Sequence, residues 1–283
     1  MRIFVTGASG QLGWDVCQEL ERRGIEYRGI SSEDLNITDG SSVMAALEKW
    51  QPDGVIHCAA YTKVDQAELE PELCWSVNVD GTKNIVAACR TVGAKLLYVS
   101  TDYVFHGDGE RAYEPVDDVN PQNVYGISKL AGELAVRSLL ERYFIVRTSW
   151  VFGKNRGNFV KTMLCLSESR SEVNVVCDQI GSPTYTADLA PLLCNMIATE
   201  KYGVYHATNE GICSWAQFAT EIFYRAGKPT VVHPIKTSGY PTPATRPLNS
   251  RMSKDCLEEA GFHRLPLWQD ALGRYLREIE ELH

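Results

Sequence analysis

The first 23 residues constrain the fold more than any other stretch. Met1–Arg2–Ile3–Phe4–Val5–Thr6 is a short apolar run, followed at once by Gly7–Ala8–Ser9–Gly10–Gln11–Leu12–Gly13 and an amphipathic stretch to Arg23. In order, these read as a strand, a glycine turn and a helix. The spacing is G-x-x-G-x-x-G. Glycine lets the backbone turn sharply and approach a pyrophosphate, whose charge then meets the helix N-terminus. In this context the loop reads as a dinucleotide-binding βα turn.

The second strand, Ile25–Ile30, ends at Ser31–Ser32, with Glu33 and Asp34 beyond. A carboxylate at that end would bind both adenosine ribose hydroxyls and repel a 2′-phosphate. Ser31 carries a hydroxyl instead, which leaves room for NADPH, with Arg28 a candidate phosphate partner. NADH stays open. Asn36 and Ile37, just beyond, are placed to line the adenine.

Strand and helix then alternate through the first half. Strands are expected at 2–6, 25–30, 54–58, 95–100 and 143–148, and helices at 11–23, 41–49, 72–91 and 124–142. Such alternation builds an α/β fold, a doubly wound, parallel, Rossmann-type sheet with helices on both faces. The second half is less regular. Helices are expected at 158–167, 187–199, 215–226 and 268–281, with Ser214 and Gly227 capping the third. Prolines cluster in 228–250, which reads as an extended loop. Segments near 173–176 and 204–207 are candidates to return to the sheet. The expected division is a dinucleotide-binding domain over 1–149 and a mainly substrate-binding domain over 150–283.

Ligands of such sheets lie beyond the carboxyl ends of the strands. His57–Cys58–Ala59–Ala60, Val99–Ser100–Thr101–Asp102 and Thr148–Ser149–Trp150 all fall there. Tyr125 and Lys129 begin the helix expected at 124–142. Residues four apart share a helix face, so phenol and ammonium can meet. A nearby cation favours phenolate, so Lys129 is expected to lower the Tyr125 pKa, giving a proton donor usable near neutrality. His57 and His106 read as packing or surface residues, and Asp65 and Asp178 as loop-bracing carboxylates.

The net charge is −8 and no basic stripe is present, which argues against nucleic acid as a partner. Nine scattered cysteines without a C-x-x-C pair read as reduced thiols, and with no signal sequence before the first strand the expected location is the cytoplasm. No apolar run reaches membrane length.

With these pieces in place the chain resembles the extended short-chain dehydrogenase/reductases and, more narrowly, the dTDP-4-dehydrorhamnose reductase family. The likeness runs almost end to end. It rests on the glycine loop, Ala59–Ala60–Tyr61–Thr62, Asn78–Val79–Asp80–Gly81–Thr82, Ser100 to Phe105, Tyr125 to Glu133, Arg147 to Gly153, and the late Ala244, Arg246–Pro247, Asn249–Ser250 run. The resemblance implies reduction of the C4 ketone of a nucleotide-linked 4-keto-6-deoxyhexose, giving dTDP-L-rhamnose. Tyr125 would protonate the C4 oxygen, Lys129 would tune Tyr125 and hold the nicotinamide ribose, and Thr101 would hydrogen-bond the same oxygen. Gly7, Gly10, Gln11, Leu12 and Gly13 would cradle the pyrophosphate, while Ala59, Ala60, Tyr61, Thr62 and Val99 would border the cofactor. Asp102, Trp150 and Arg246 would contact the substrate, Arg246 through its diphosphate.

Some members of that family form a magnesium-bridged dimer through three glutamates. Asp15 and Glu278 stand at two of those positions and Ala187 at the third, so no metal is expected, and the chain should be a monomer or a metal-independent homodimer. Two rival readings use the same fold. One is a nucleotide-sugar epimerase that retains NAD; the other is a non-catalytic relative similar to the methionine adenosyltransferase regulatory subunit.

Overall fold

The structure, a computed structural model, describes residues 1–280. The helix expected at 268–281 runs over Trp268–Glu280, and residue 281 lies outside the described residues, as does the end of the domain expected over 150–283. Six strands form the central sheet: β1 Arg2–Thr6, β2 Glu26–Ile30, β3 Gly54–His57, β4 Lys95–Thr101, β5 Tyr143–Thr148 and β6 Gly203–His206. Their order is β6-β5-β4-β3-β1-β2, and every pairing is parallel. The inner strands are apolar without alternation because helices cover both faces. Ile3, Phe4, Val5, Val55, Ile56, Leu96, Leu97 and Phe144 are all fully buried. The order reverses between β1 and β3, which opens a crevice at their carboxyl ends.

The segment expected near 204–207 does join this sheet, as β6 beside β5. The one near 173–176 does not. Glu172–Val176 pairs in parallel with Val231–Ile235, in a two-stranded ribbon of the second lobe. That partner strand lies inside 228–250, which is therefore not a continuous loop. Pro234 is tolerated because each strand of a two-stranded ribbon is an edge.

The helix expected at 72–91 is interrupted. Pro71–Trp75 and Thr82–Val92 are joined by a π-helical turn, Ser76–Gly81. The helix expected at 124–142 begins at Val124, where the Asn123 side chain accepts from Gly126 N, and stops at Leu139 because Leu140 is extended. Ser214 and Gln217 form a reciprocal capping box on Trp215–Arg225, and Gly227 follows with φ +62°. A short helix, Val64–Leu69, was not expected from the sequence.

Two cores result. The helix Thr186–Ile197, from the second half of the chain, packs beneath the central sheet with Leu12, Val16 and Leu20. The second lobe is built around Phe152, Phe218, Trp268 and Tyr275. Among the described residues no helix is long and apolar enough to cross a membrane.

Candidate active site

A cavity of about 670 Å³ runs across the carboxyl ends of the strands. Its first end is the glycine loop. Gly7 has φ +69°, and a Cβ there would sit 2.7 Å from Ala59 N; a Cβ on Gly13 would meet Gly7 O at 2.2 Å. Only glycine lets loop, strand end and helix approach this closely. The following helix, Gln11–Arg22, has Gly10 as its N-cap with no side-chain cap. Its first-turn amides therefore keep their hydrogen-bonding capacity, which suits anionic oxygens.

Ser31, Asn36, Ile37, Ala59, Ala60, Thr62 and Val99 line the same cavity. Ser31 is held in its turn, its N–H and Oγ both donating to Asp34 Oδ2 at 2.8 and 2.7 Å. Arg28 is exposed and off the cavity wall. Tyr61 also departs from expectation. Its hydroxyl donates to Glu70 at 2.8 Å, its backbone is clasped by Asn78, and it does not line the cavity. The π turn is what brings Asn78 there, and its Nδ2 also donates to Ser128 Oγ at 2.9 Å on the helix of Tyr125. This tie between three segments had no signal in the sequence beyond Asn78 itself.

At the centre Thr101, Asp102, Tyr125 and Lys129 share the cavity wall. Thr101 Oγ1 donates to Asp102 Oδ1 at 3.0 Å, and faces the Tyr125 phenol, which it biases toward ionisation. The expected lowering of the Tyr125 pKa does not hold. Burial pushes the phenol up, and the neighbouring Asp102 and Tyr103 add to that. Burial also brings Lys129 down to about 7, partly countered by Glu133. Desolvation penalises whichever form is charged, and here it outweighs the attraction between the two groups. Lys129 Nζ lies 4.0 Å over the Tyr98 ring, which supplies part of its surroundings.

A carboxylate lies beneath this centre, at the end of the Tyr125 to Glu133 run. Glu133 is four residues beyond Lys129 and fully buried. It accepts from Arg147 Nε and Nη2 at 2.9 and 2.7 Å and from Ser100 Oγ at 2.5 Å. The i, i+4 spacing from Lys129 was the available signal. His57 is a packing residue. Thr82 Oγ1 donates to Asn78 O, so His57 Nε2 must carry the proton that reaches Thr82, and Nδ1 accepts from Thr6 Oγ1 at 2.6 Å. Burial first, then the Lys129 charge, lowers its pKa to about 3. Asp178 and Asp65 brace loops, accepting from Thr237 and from Ala244 N and Arg246 respectively.

Asp102 is buried beside the Ser250 hydroxyl, and burial raises its pKa to about 6. Trp150 lines the far end of the cavity in a left-handed conformation, φ +49°, and stacks on Trp215 with centroids 3.8 Å apart. Trp215 had drawn attention only through the Ser214 cap before it. Arg246 is not on the cavity wall. Its guanidinium pairs with Asp65 and donates to Tyr103 Oη at 3.2 Å, so it buttresses Tyr103, which does line the cavity.

A model of the RmlD substrate binding domain family matches residues 1–281. The chain belongs to this family. Its relatives include a dTDP-4-dehydrorhamnose reductase of Streptomyces griseus, 42% identical over 96% of this chain and 91% of that protein. Among solved structures, a dTDP-4-dehydrorhamnose reductase of Clostridium acetobutylicum is 40% identical, with a TM-score of 0.97 over 99% of this chain and 100% of that one. One from Bacillus anthracis, solved in complex with NADP, is 45% identical, with a TM-score of 0.95 over 98% and 99%. The fold common to this family is the doubly wound parallel sheet described above.

Proposed function

We infer that this chain is an NADPH-dependent reductase acting on the C4 ketone of dTDP-4-dehydro-6-deoxy-L-mannose, with dTDP-L-rhamnose as product. The observation that carries the reading is one cavity joining an uncapped glycine-loop helix to Thr101, Tyr125 and Lys129, in a chain related over its whole length to such reductases.

The residues present fit a nicotinamide dinucleotide. Gln11, Leu12 and Gly13 would offer amides to the pyrophosphate, the Gly10 amide being held by Gly7 O, and Ser31 would meet the adenosine ribose without adding a negative charge to the cavity wall. Asn36 and Ile37 border the adenine, and Ala59, Ala60 and Thr62 line the path toward Lys129. When bound, the cofactor supplies the hydride. Tyr125 delivers the proton that turns the carbonyl oxygen into a hydroxyl, so ketone, hydride and proton balance to the alcohol. Its raised pKa keeps that proton in place across the neutral range. When substrate binds, the Thr101 hydroxyl would turn from Asp102 Oδ1 to donate to the same oxygen, where charge develops. Lys129 contributes positive charge beside the phenol and re-supplies its proton. Asp102 holds the Thr101 hydroxyl in place until substrate binds. Arg246 acts on the substrate through Tyr103.

The test is NADPH oxidation followed spectrophotometrically with dTDP-4-dehydro-6-deoxy-L-mannose, with NADH run beside it. Stoichiometric NADPH consumption and formation of dTDP-L-rhamnose are expected. An enzyme purified with tightly held NAD that interconverts sugar epimers without net oxidation would be an epimerase instead. Absence of turnover with any keto sugar would favour a binding subunit.

A further inference from the structure

We propose that Trp215 is a positioning residue for the sugar end of the substrate. It holds the Trp150 indole against the cavity, so that the two stacked rings form one apolar wall for the deoxyhexose. The inference rests on the reductase reading above.

Trp150 sits two residues beyond the end of β5 with φ +49°, a backbone state that bulky side chains seldom adopt. Its carbonyl accepts from Thr184 N at 3.1 Å. Beneath the ring lies Gly181, where a Cβ would come within 2.9 Å of the indole. Gly181 pairs with Cys213, and Ile180 with Ser214, in a short antiparallel ribbon. The same ribbon therefore provides the bed for Trp150 and, through the Ser214 cap, the start of the helix on which Trp215 is the first residue. The two indoles stack at 3.8 Å and 14°. Phe159 fixes the other side of Trp215 with centroids 4.6 Å apart.

These rings differ from the core aromatics behind them. Phe152, Phe218 and Tyr275 are fully buried, whereas Trp150 and Trp215 are only half-buried and both line the cavity. Strain at Trp150, a glycine kept beneath it and a second indole stacked on it are more than packing requires. They orient aromatic surface toward the cavity that holds Tyr125 and Thr101. A 6-deoxyhexose carries a methyl group and ring C–H bonds, and aromatic surface is what takes such groups out of water. Indole stacking leaves Trp150 one orientation, so less ordering is left for the binding step.

The test compares wild type with Trp215→Ala, Trp215→Phe and Gly181→Ala, using NADPH and the keto sugar. Trp215→Ala is expected to raise KM for the sugar roughly tenfold, the scale of one aromatic pair, with a smaller change in kcat and unchanged NADPH affinity by direct titration. Trp215→Phe should recover most of the loss. Gly181→Ala should reproduce it by lifting Trp150 from its bed with Trp215 in place. The exciton couplet of stacked indoles in circular dichroism should vanish in Trp215→Ala and Trp150→Phe. Loss of the couplet with sugar KM unchanged would overturn the proposal, as would equal weakening of NADPH. If wild type gives no turnover, dTDP-L-rhamnose is titrated directly. Tenfold weaker binding to Trp215→Ala then upholds the inference while the reductase reading fails, equal binding overturns it, and no binding to wild type overturns both.

Discussion

The floor and the wall of the cavity are built in different ways. The floor is made of polar groups at the ends of adjacent parallel strands, and its buried groups are tied into networks. Thr6, His57, Thr82 and Asn78 form one chain of hydrogen bonds, and Ser100, Glu133 and Arg147 form another. The wall is apolar. Trp150, Gly181 and Trp215 come from three separate segments and meet through stacking and close contact rather than hydrogen bonds. Proton delivery needs charges and donors fixed in a low-dielectric place, which a rigid sheet supplies. Recognition of a sugar face needs shape, which a lobe of short ribbons can supply and vary.

The sharpest way to test this division is to remove the proton donor. Tyr125→Phe leaves ring and packing in place and deletes only the hydroxyl. Turnover should fall on the order of 10²–10⁴-fold, the worth of a positioned acid, with NADPH affinity retained in a direct titration. Near wild-type turnover would mean the floor does not carry the chemistry. The next largest effect is on stability. Glu133→Ala leaves the Arg147 charge buried without its partner, and breaking such a pair costs about 3–5 kcal/mol. Urea denaturation should show it. Trp215→Ala, removing a half-buried ring from the wall, should cost clearly less; the reverse ranking would break the comparison.

The same contrast explains what could be read from the sequence. The floor was legible because its signals are local. A strand followed by spaced glycines, strand-end Thr101 and Asp102, and Tyr125 and Lys129 four apart each declare themselves within a few residues. The wall was not, because Gly181 lies under Trp150, and Trp215 over it, only through the ribbon pairing of 180–181 with 213–214. The strand Val231–Ile235 was hidden by its proline, since a proline-rich run reads as loop until a partner strand is known. The π turn at Ser76–Gly81 was hidden for the opposite reason, as its residues fit an ordinary helical pattern. The direction of the Tyr125 shift was misjudged because spacing reveals a neighbouring charge but not the depth of burial.

That correction has a pH signature. Lys129 titrates at about 7 when folded and at ~10.4 in an unfolded chain. Between those values the unfolded state binds more protons, so this residue makes stability rise with pH across that window. Below pH 7 the cost of its buried charge is present in full. Asp102 acts with the opposite slope lower down. Its folded value of about 6 exceeds the unfolded ~3.9, so stability falls as pH rises between them. In Lys129→Met itself the upper slope should disappear and the lower one remain, so the difference from wild type should hold only the upper slope. kcat/KM for the cofactor, which reports the free enzyme, should also fall above about pH 7 as Lys129 loses its charge. A limb only above pH 9 would show that Lys129 stays charged and that neighbouring charge outweighs burial after all.

A smaller effect is expected at the cofactor end. Ser31→Asp puts a carboxylate beside the adenosine ribose and next to Asp34. The ratio of kcat/KM for NADPH to that for NADH should shift toward NADH on the order of tenfold, about 1.4 kcal/mol. Keto-sugar KM should stay within about threefold, because Ser31 and the Trp150–Trp215 wall lie at opposite ends of the cavity. An unchanged cofactor ratio would mean Ser31 does not meet the 2′ position.

The smallest expected effect is none, and it concerns the seam where the two lobes meet. Asp15, on the helix Gln11–Arg22, and Glu278, on Trp268–Glu280, are close enough that Glu278 helps raise Asp15, whose pKa reaches about 6 chiefly through burial. Two carboxylates alone would invite a cation, and Mg²⁺ takes oxygen ligands. Other groups already answer that charge. Lys154 Nζ stands 3.6 Å from Glu278 and its charge also lowers the Asp15 pKa, and the Tyr185 hydroxyl donates to Glu278. Ala187, packed against the core around Phe152 and Tyr275, carries a methyl group rather than a carboxylate. A divalent ion here would have to displace the lysine and would gain only two charged ligands from each chain. In the reading proposed above catalysis needs nothing from this seam, since Tyr125 and Thr101 would address the carbonyl oxygen within the cavity. Activity and sedimentation should therefore be the same with EDTA and with added Mg²⁺. A dimer that dissociates on chelation and reforms with Mg²⁺ would show that a second copy completes the ligand set, and that the seam, not only the cavity, is a functional region of this chain.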